Sequence, residues 1–198
     1  MSYLPNFVPL DENGDSDGRN RHDLIVDRLV DDLLEDGLDD SCIYFVEKDY
    51  WYTSRNVTRD NLHLRGKTRG DLDIAVYDLE KDEVRPIEIK GSKEIPAELE
   101  DEERREHYET VDNAHDQLSE FQDAVEAINM AYDIEITVKD PKVKVWADVF
   151  ENKTFNSSNL PTYSGDHLCN SQAYHKAQES YEFKAFMEGL FDVKSFDG

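Results

Sequence analysis

Two short apolar runs, 72–77 and 84–90, are separated by residues 78–83, of which only Leu79 is apolar. Runs this short, joined by a polar turn, specify an antiparallel hairpin, and a hairpin needs further elements to cover it. The flanking sequence supplies them. Residues 21–35 place Leu24, Ile25, Leu29, Val30, Leu33 and Leu34 at helical spacing, with Gly37 at the C-cap position. Residues 42–54 are rich in aromatic and β-branched types and predict a strand, and 55–70 read as a loop or hairpin. Residues 97–130 carry Tyr108, Val111, His115, Leu118, Phe121, Val125 and Ile128 at steps of three and four. They predict a long helix with one inward face, on which His115 packs. Residues 134–138 and 143–150 read as strands, 151–166 as a loop, and 171–190 as a last helix. The order predicts an α/β protein with a central mixed sheet flanked by helices.

The 198 residues carry a net charge of -24, from 46 acidic and 22 basic side chains. The acids are spread along the chain, so a single acidic tail does not account for them. Adaptation to high salt does: at molar ionic strength the Debye length falls to about 3 Å, and surface acids barely repel one another. The alternative is an acidic protein that binds basic partners or imitates DNA. Residues 1–17 have no basic start and no long apolar run, and nothing approaches a membrane span. The expectation is a cytoplasmic protein with Cys42 and Cys169 as free thiols. No Walker-type loop points to ATP.

The hairpin also carries the chemistry. Alternation places Asp71, Asp73, Ala75 and Tyr77 on one face of the first strand, with Leu72, Ile74 and Val76 facing the core. On the second strand Glu88 and Lys90 share a face, opposite Ile87 and Ile89. A turn centred near Glu80 and Lys81 sets Asp73 opposite Glu88 and Asp71 opposite Lys90. Directly paired side chains have Cβ atoms about 4.5–5.5 Å apart, so two carboxylates there call for a cation. Mg²⁺ is the natural one, with the Ile89 carbonyl as a further ligand. Lys90 would orient or deprotonate the attacking water and offset charge on a phosphate. The plainer alternative is a solvated cross-strand ion pair contributing at most about 1 kcal/mol.

Gly70-Asp-Leu-Asp73 on one strand and Glu88-Ile-Lys90 on the next resemble the PD-(D/E)xK nuclease superfamily, the restriction-endonuclease-like fold. Residues 70–92 look like the core of archaeal Holliday junction resolvases. The resemblance covers about residues 18–150, and nothing after Phe150 shares in it. It implies a restriction-endonuclease-like core over 18–150, preceded by a disordered acidic lead-in at 1–17 and followed by a loop and C-terminal helix at 151–198 that pack on the core. It also implies Asp73 and Glu88 as metal ligands, Lys90 as the catalytic lysine, and Mg²⁺, or Mn²⁺ in its place, as cofactor. Asp23 matches the position of the acid that the family often takes from its first helix, where Glu is usual. Gln117 matches a Gln that many members carry on the helix after the lysine.

Arg55, Arg59, Arg65, Lys67 and Arg69 fall between Trp51 and Gly70, where the only acid is Asp60. A basic stretch in so acidic a chain suits contact with a phosphate backbone, and Trp51, Tyr52 and His63 are placed to stack on bases. The alternative is a loop whose bases pair with acidic neighbours. The expectation is therefore a divalent-metal-dependent DNA endonuclease of repair or recombination type. Its rivals are an inactive DNA-binding protein of the same fold and an acidic partner-binding protein. The aromatic stripe of the last helix serves either the core or a homodimer contact.

Overall fold

The computed structural model describes residues 21–52, 68–91, 101–145, 148–149, 163 and 167–191. The elements are α1 (Arg21–Asp36), β1 (Cys42–Tyr52), β2 (Thr68–Asp78), β3 (Glu83–Lys90), α2 (Asp101–Tyr132), β4 (Thr137–Val138), β5 (Lys142–Val145), β6 (His167–Leu168), α3 (Ser171–Glu179) and α4 (Tyr181–Phe191). The six strands form one sheet in the order β4-β3-β2-β1-β6, with β5 pairing β3 off this path. β1, β2 and β3 are antiparallel neighbours, β6 is antiparallel to β1, and β4 is parallel to β3. The protein is thus α/β with a mixed sheet. Among the described residues no helix is long and apolar enough to cross a membrane.

The chain divides into two compact units. The first draws on the described residues of Met1–Asp36, Ile89–His115 and Val143–Tyr163, the second on those of Gly37–Glu88, Asp116–Lys142 and Ser164–Gly198. In the first, α1 buries Leu24, Ile25 and Val30 of the expected stripe, together with Val26, while Leu29 and Leu33 are half-buried and Leu34 is exposed. Asp27 is buried on the same helix and accepts a hydrogen bond from the Tyr163 backbone N–H at 3.1 Å. The helix ends at Asp36, before Gly37 at φ +85°, a conformation that glycine adopts without steric cost.

The second unit has an aromatic core. Phe45 of β1 lies against Phe183, Phe186 and Phe191 of α4, and Tyr77 of β2 against Phe183 and Phe186. Phe121, Val125 and Ile128 of α2 and Ala173 and Ala177 of α3 complete the cluster. Phe183, Phe186, Met187 and Leu190 are all buried in the chain's own core. Tyr50 crosses to Gly70, its register partner on β2. A Cβ at Gly70 would come within 2.2 Å of the Tyr50 Cζ, so the glycine is what lets that ring lie across the neighbouring strand. The β2–β3 turn is fastened by Asp78, a buried carboxylate that accepts from the Glu80 backbone N–H at 3.0 Å and pairs with Lys81 and Arg85.

Several expectations are corrected. Ala75 and Tyr77, assigned away from the core, are in it together with Leu72, while Ile74 is buried outside that cluster and Val76 is half-buried. The expected strand 134–138 is reduced to Thr137–Val138. The side chain of Asn129 donates to the Ile136 carbonyl and accepts from its N–H, at 2.8 and 2.9 Å, supplying the partners a strand would give. The strand expected over 143–150 stops at Val145, and Asp148 and Val149 are helical. There the Val145 N–H donates to the Asp148 carboxylate at 3.0 Å, a side-chain substitute for a ladder bond. The single last helix is two, broken at Ser180 (φ -69°, ψ 124°), whose Oγ accepts from the Phe183 N–H at 3.0 Å as an N-cap does. β6 has no counterpart in the sequence reading. His115 is exposed, and its neighbour Ala114 takes the inward position on α2.

Candidate functional site

The two strands of the hairpin are in the register Ile74↔Ile87, Ala75↔Pro86, Val76↔Arg85, Tyr77↔Val84 and Asp78↔Glu83. Asp73 and Glu88 are the next residues along each strand beyond the Ile74↔Ile87 pair. Both carboxylates lie in the second unit, and both are buried, Asp73 at 6% exposure and Glu88 at 4%.

β2 reaches this position irregularly. Going back from Tyr77, the residues that join the core cluster are Ala75 and then Leu72, a step of two followed by a step of three. β1 changes parity in the same place: Ile43 and Phe45 are in the cluster, and the next member is Tyr50. The β1–β2 pairing passes from Val46↔Ile74 directly to Lys48↔Leu72 and takes in neither Glu47 nor Asp73. Glu47 is half-buried with φ +44°, a region that non-glycine residues enter rarely. The sequence reading did not single out Glu47. The available signal was the polar run Glu47-Lys48-Asp49 inside an otherwise apolar and aromatic strand.

The remaining predicted site residues are dispersed over the elements. Ile89 and Lys90 are the last two residues of β3 and belong to the first unit, Ile89 buried and Lys90 half-buried. Asp23 belongs to the first unit too, on the first turn of α1 beside His22, with Nδ1 to Oδ1 at 3.5 Å. Gln117 is half-buried on α2 in the second unit, between the buried Ala114 and Leu118. Of the basic stretch, Arg55, Arg59, Arg65 and Lys67 lie outside the described residues. Arg69 is exposed on β2, paired with Asp49 at 2.5 Å and set over the Trp51 indole, 5.9 Å from its centroid.

The donor set suits a hard divalent cation. Two carboxylates from adjacent strands, close to water and to a phosphate oxygen, are what Mg²⁺ is usually given by a protein. Thiolate or imidazole sites would suit softer metals, and neither Cys42 nor Cys169 is near this rung in sequence.

The fold is of the α/β class with a mixed sheet, and the candidate site is a pair of buried acids on adjacent strands. Comparison with known proteins finds no family model, no curated protein and no solved structure that the chain matches.

Proposed function

We propose that this chain is a divalent-cation-dependent DNA endonuclease with a restriction-endonuclease-like core, from a high-salt setting. The observation that carries the reading is the burial of two acids, Asp73 and Glu88, one on each of two adjacent paired strands. Asp73 and Glu88 would hold the cation, and the Ile89 carbonyl would be a further donor. A bound Mg²⁺, or Mn²⁺ in its place, lowers the pKa of the attacking water and polarises the phosphodiester. Lys90 follows Glu88 by two residues on β3; as an ammonium it would orient the attacking water and offset the charge building up on the phosphate, or as a neutral amine it would deprotonate that water. Gln117 and Asp23 are assigned supporting roles on the sequence resemblance alone. Arg69, with the basic residues before it in sequence, holds the DNA backbone.

The test is cleavage of labelled linear, single-stranded and four-way-junction DNA in concentrated KCl, with Mg²⁺ and then Mn²⁺. Wild type should cut, and Asp73→Asn and Lys90→Ala should each lose more than about 100-fold, the scale of a positioned acid–base group. Cutting that survives Asp73→Asn rules the assignment out.

One observation favours a second reading, an acidic protein that binds basic partners. Arg69, the only member of the basic stretch among the described residues, is paired with Asp49, as it would be if neighbouring acids neutralise that stretch. On that reading the folded protein binds no DNA in any metal.

A further inference from the structure

Trp51 and Arg69 are register partners near the ends of β1 and β2. Tyr50, the residue before Trp51, is buried at 1% exposure, so alternation turns Trp51 outward, where it is 39% exposed. The Arg69 guanidinium sits over the indole, 5.9 Å from its centroid, and is held from the side by Asp49. Large aromatic side chains contribute most when buried, and here one stands at the sheet surface next to a fixed cation. In sequence, β1 and β2 are joined by residues 53–67, which carry Arg55, Arg59, Arg65 and Lys67 against the single acid Asp60 in a chain of net charge -24.

An aromatic face beside cations is the chemistry that binds single-stranded nucleic acid: bases stack on the ring and the cations follow the backbone. In a duplex the faces of the bases are stacked on one another and unavailable to an indole, so such a pair discriminates by strand state.

We infer that Trp51 stacks on an unpaired base while Arg69 contacts a neighbouring phosphate, so that the DNA this protein takes carries a single-stranded element. As a statement about substrate class, this rests on the nuclease reading; as a statement about binding, it stands apart from it. The experiment is fluorescence anisotropy of labelled oligothymidylate, and of a duplex of equal length, in EDTA so that nothing is cut. Wild type should bind the single strand more tightly. Trp51→Ala should weaken that binding by about 10-fold or more and leave duplex binding unchanged, and Trp51→Phe should restore most of it. Circular dichroism checks that both variants are folded. Wild type that does not bind oligothymidylate, or Trp51→Ala that binds it as wild type does or loses both DNAs equally, overturns the inference. Cleavage by Asp73→Asn in Mg²⁺ is scored separately. Its persistence removes the nuclease reading and leaves the stacking result to stand or fall on the binding data.

Discussion

Glu47 and Asp73 are the two positions that the β1–β2 pairing passes over between Val46↔Ile74 and Lys48↔Leu72, and Glu47 has φ +44°. A non-glycine residue in that region is strained by about 1–3 kcal/mol. Asparagine tolerates the conformation better. Glu47→Asn should therefore raise the urea midpoint, by up to about 1 kcal/mol of stability. A lowered midpoint would mean that the Glu47 carboxylate contributes more than its backbone costs.

The buried acids make a separate prediction about metal. If Asp73 and Glu88 hold a cation, binding stabilises the folded state by mass action, by about 2.7 kcal/mol at a hundredfold excess over Kd. Mg²⁺ should raise the wild-type melting temperature and EDTA should reverse the rise. Asp73→Asn and Glu88→Gln should each melt at a temperature indifferent to Mg²⁺. Equal shifts in wild type and both variants would place the responsive site elsewhere.

His167 gives the protein an acid-sensitive element. Burial, and secondarily the charge of Lys48, pushes its imidazole down to about 4, where it packs edge-on against Phe45 at 5.0 Å. The unfolded value is about 6.5. Between these values the unfolded chain binds the extra proton, so this contribution is complete above about pH 6.5 and declines as pH falls toward 4. His167→Phe should make the ratio of stabilities near about pH 5 and pH 7 closer to one. Identical pH dependence in wild type and variant would assign the acid sensitivity to other groups.

Gly70 carries the tightest packing demand on β2. Gly70→Ala must displace the Tyr50 ring, which lies edge-on to Phe121 at 5.3 Å. Destabilisation of about 1–3 kcal/mol is expected, as for other overpacked cores. A double variant with Tyr50→Leu should recover part of it. A neutral Gly70→Ala would show that the ring has room to move.

Much of this was legible in the residues. The first half of the α1 stripe (Leu24, Ile25 and Val30), the α2 positions Leu118, Phe121, Val125 and Ile128, and the β2–β3 turn all follow from apolar spacing. Three features were hidden by the same reasoning. Strict alternation assigned Ala75 and Tyr77 outward, because a shift of parity at Glu47 and Asp73 leaves no mark on a periodic pattern. Apolar spacing runs through Ser180 uninterrupted, so the break between α3 and α4 shows only in the cap its hydroxyl makes. His167 and Leu168 form a strand of two residues, too short for any period. The candidate acids were found by residue type and spacing; their burial could be seen only once the strands were in register.

Asn170 ties together parts of the chain that are synthesised far apart. Its amide nitrogen donates to the Leu38 carbonyl, 132 residues away, at 3.0 Å, while its oxygen accepts from the Gln172 and Ala173 N–H groups. The start of α3 and the approach to β1 are thus closed by one side chain. Since Phe45 and Tyr77 also wait for α4, the aromatic core cannot form from any local stretch of sequence. Closing such long loops precedes the contacts that reward it, and topologies of this kind fold slowly. During that interval the apolar faces of β1 and β2 stand open to other chains, so the refolding yield of this protein should fall as its concentration rises.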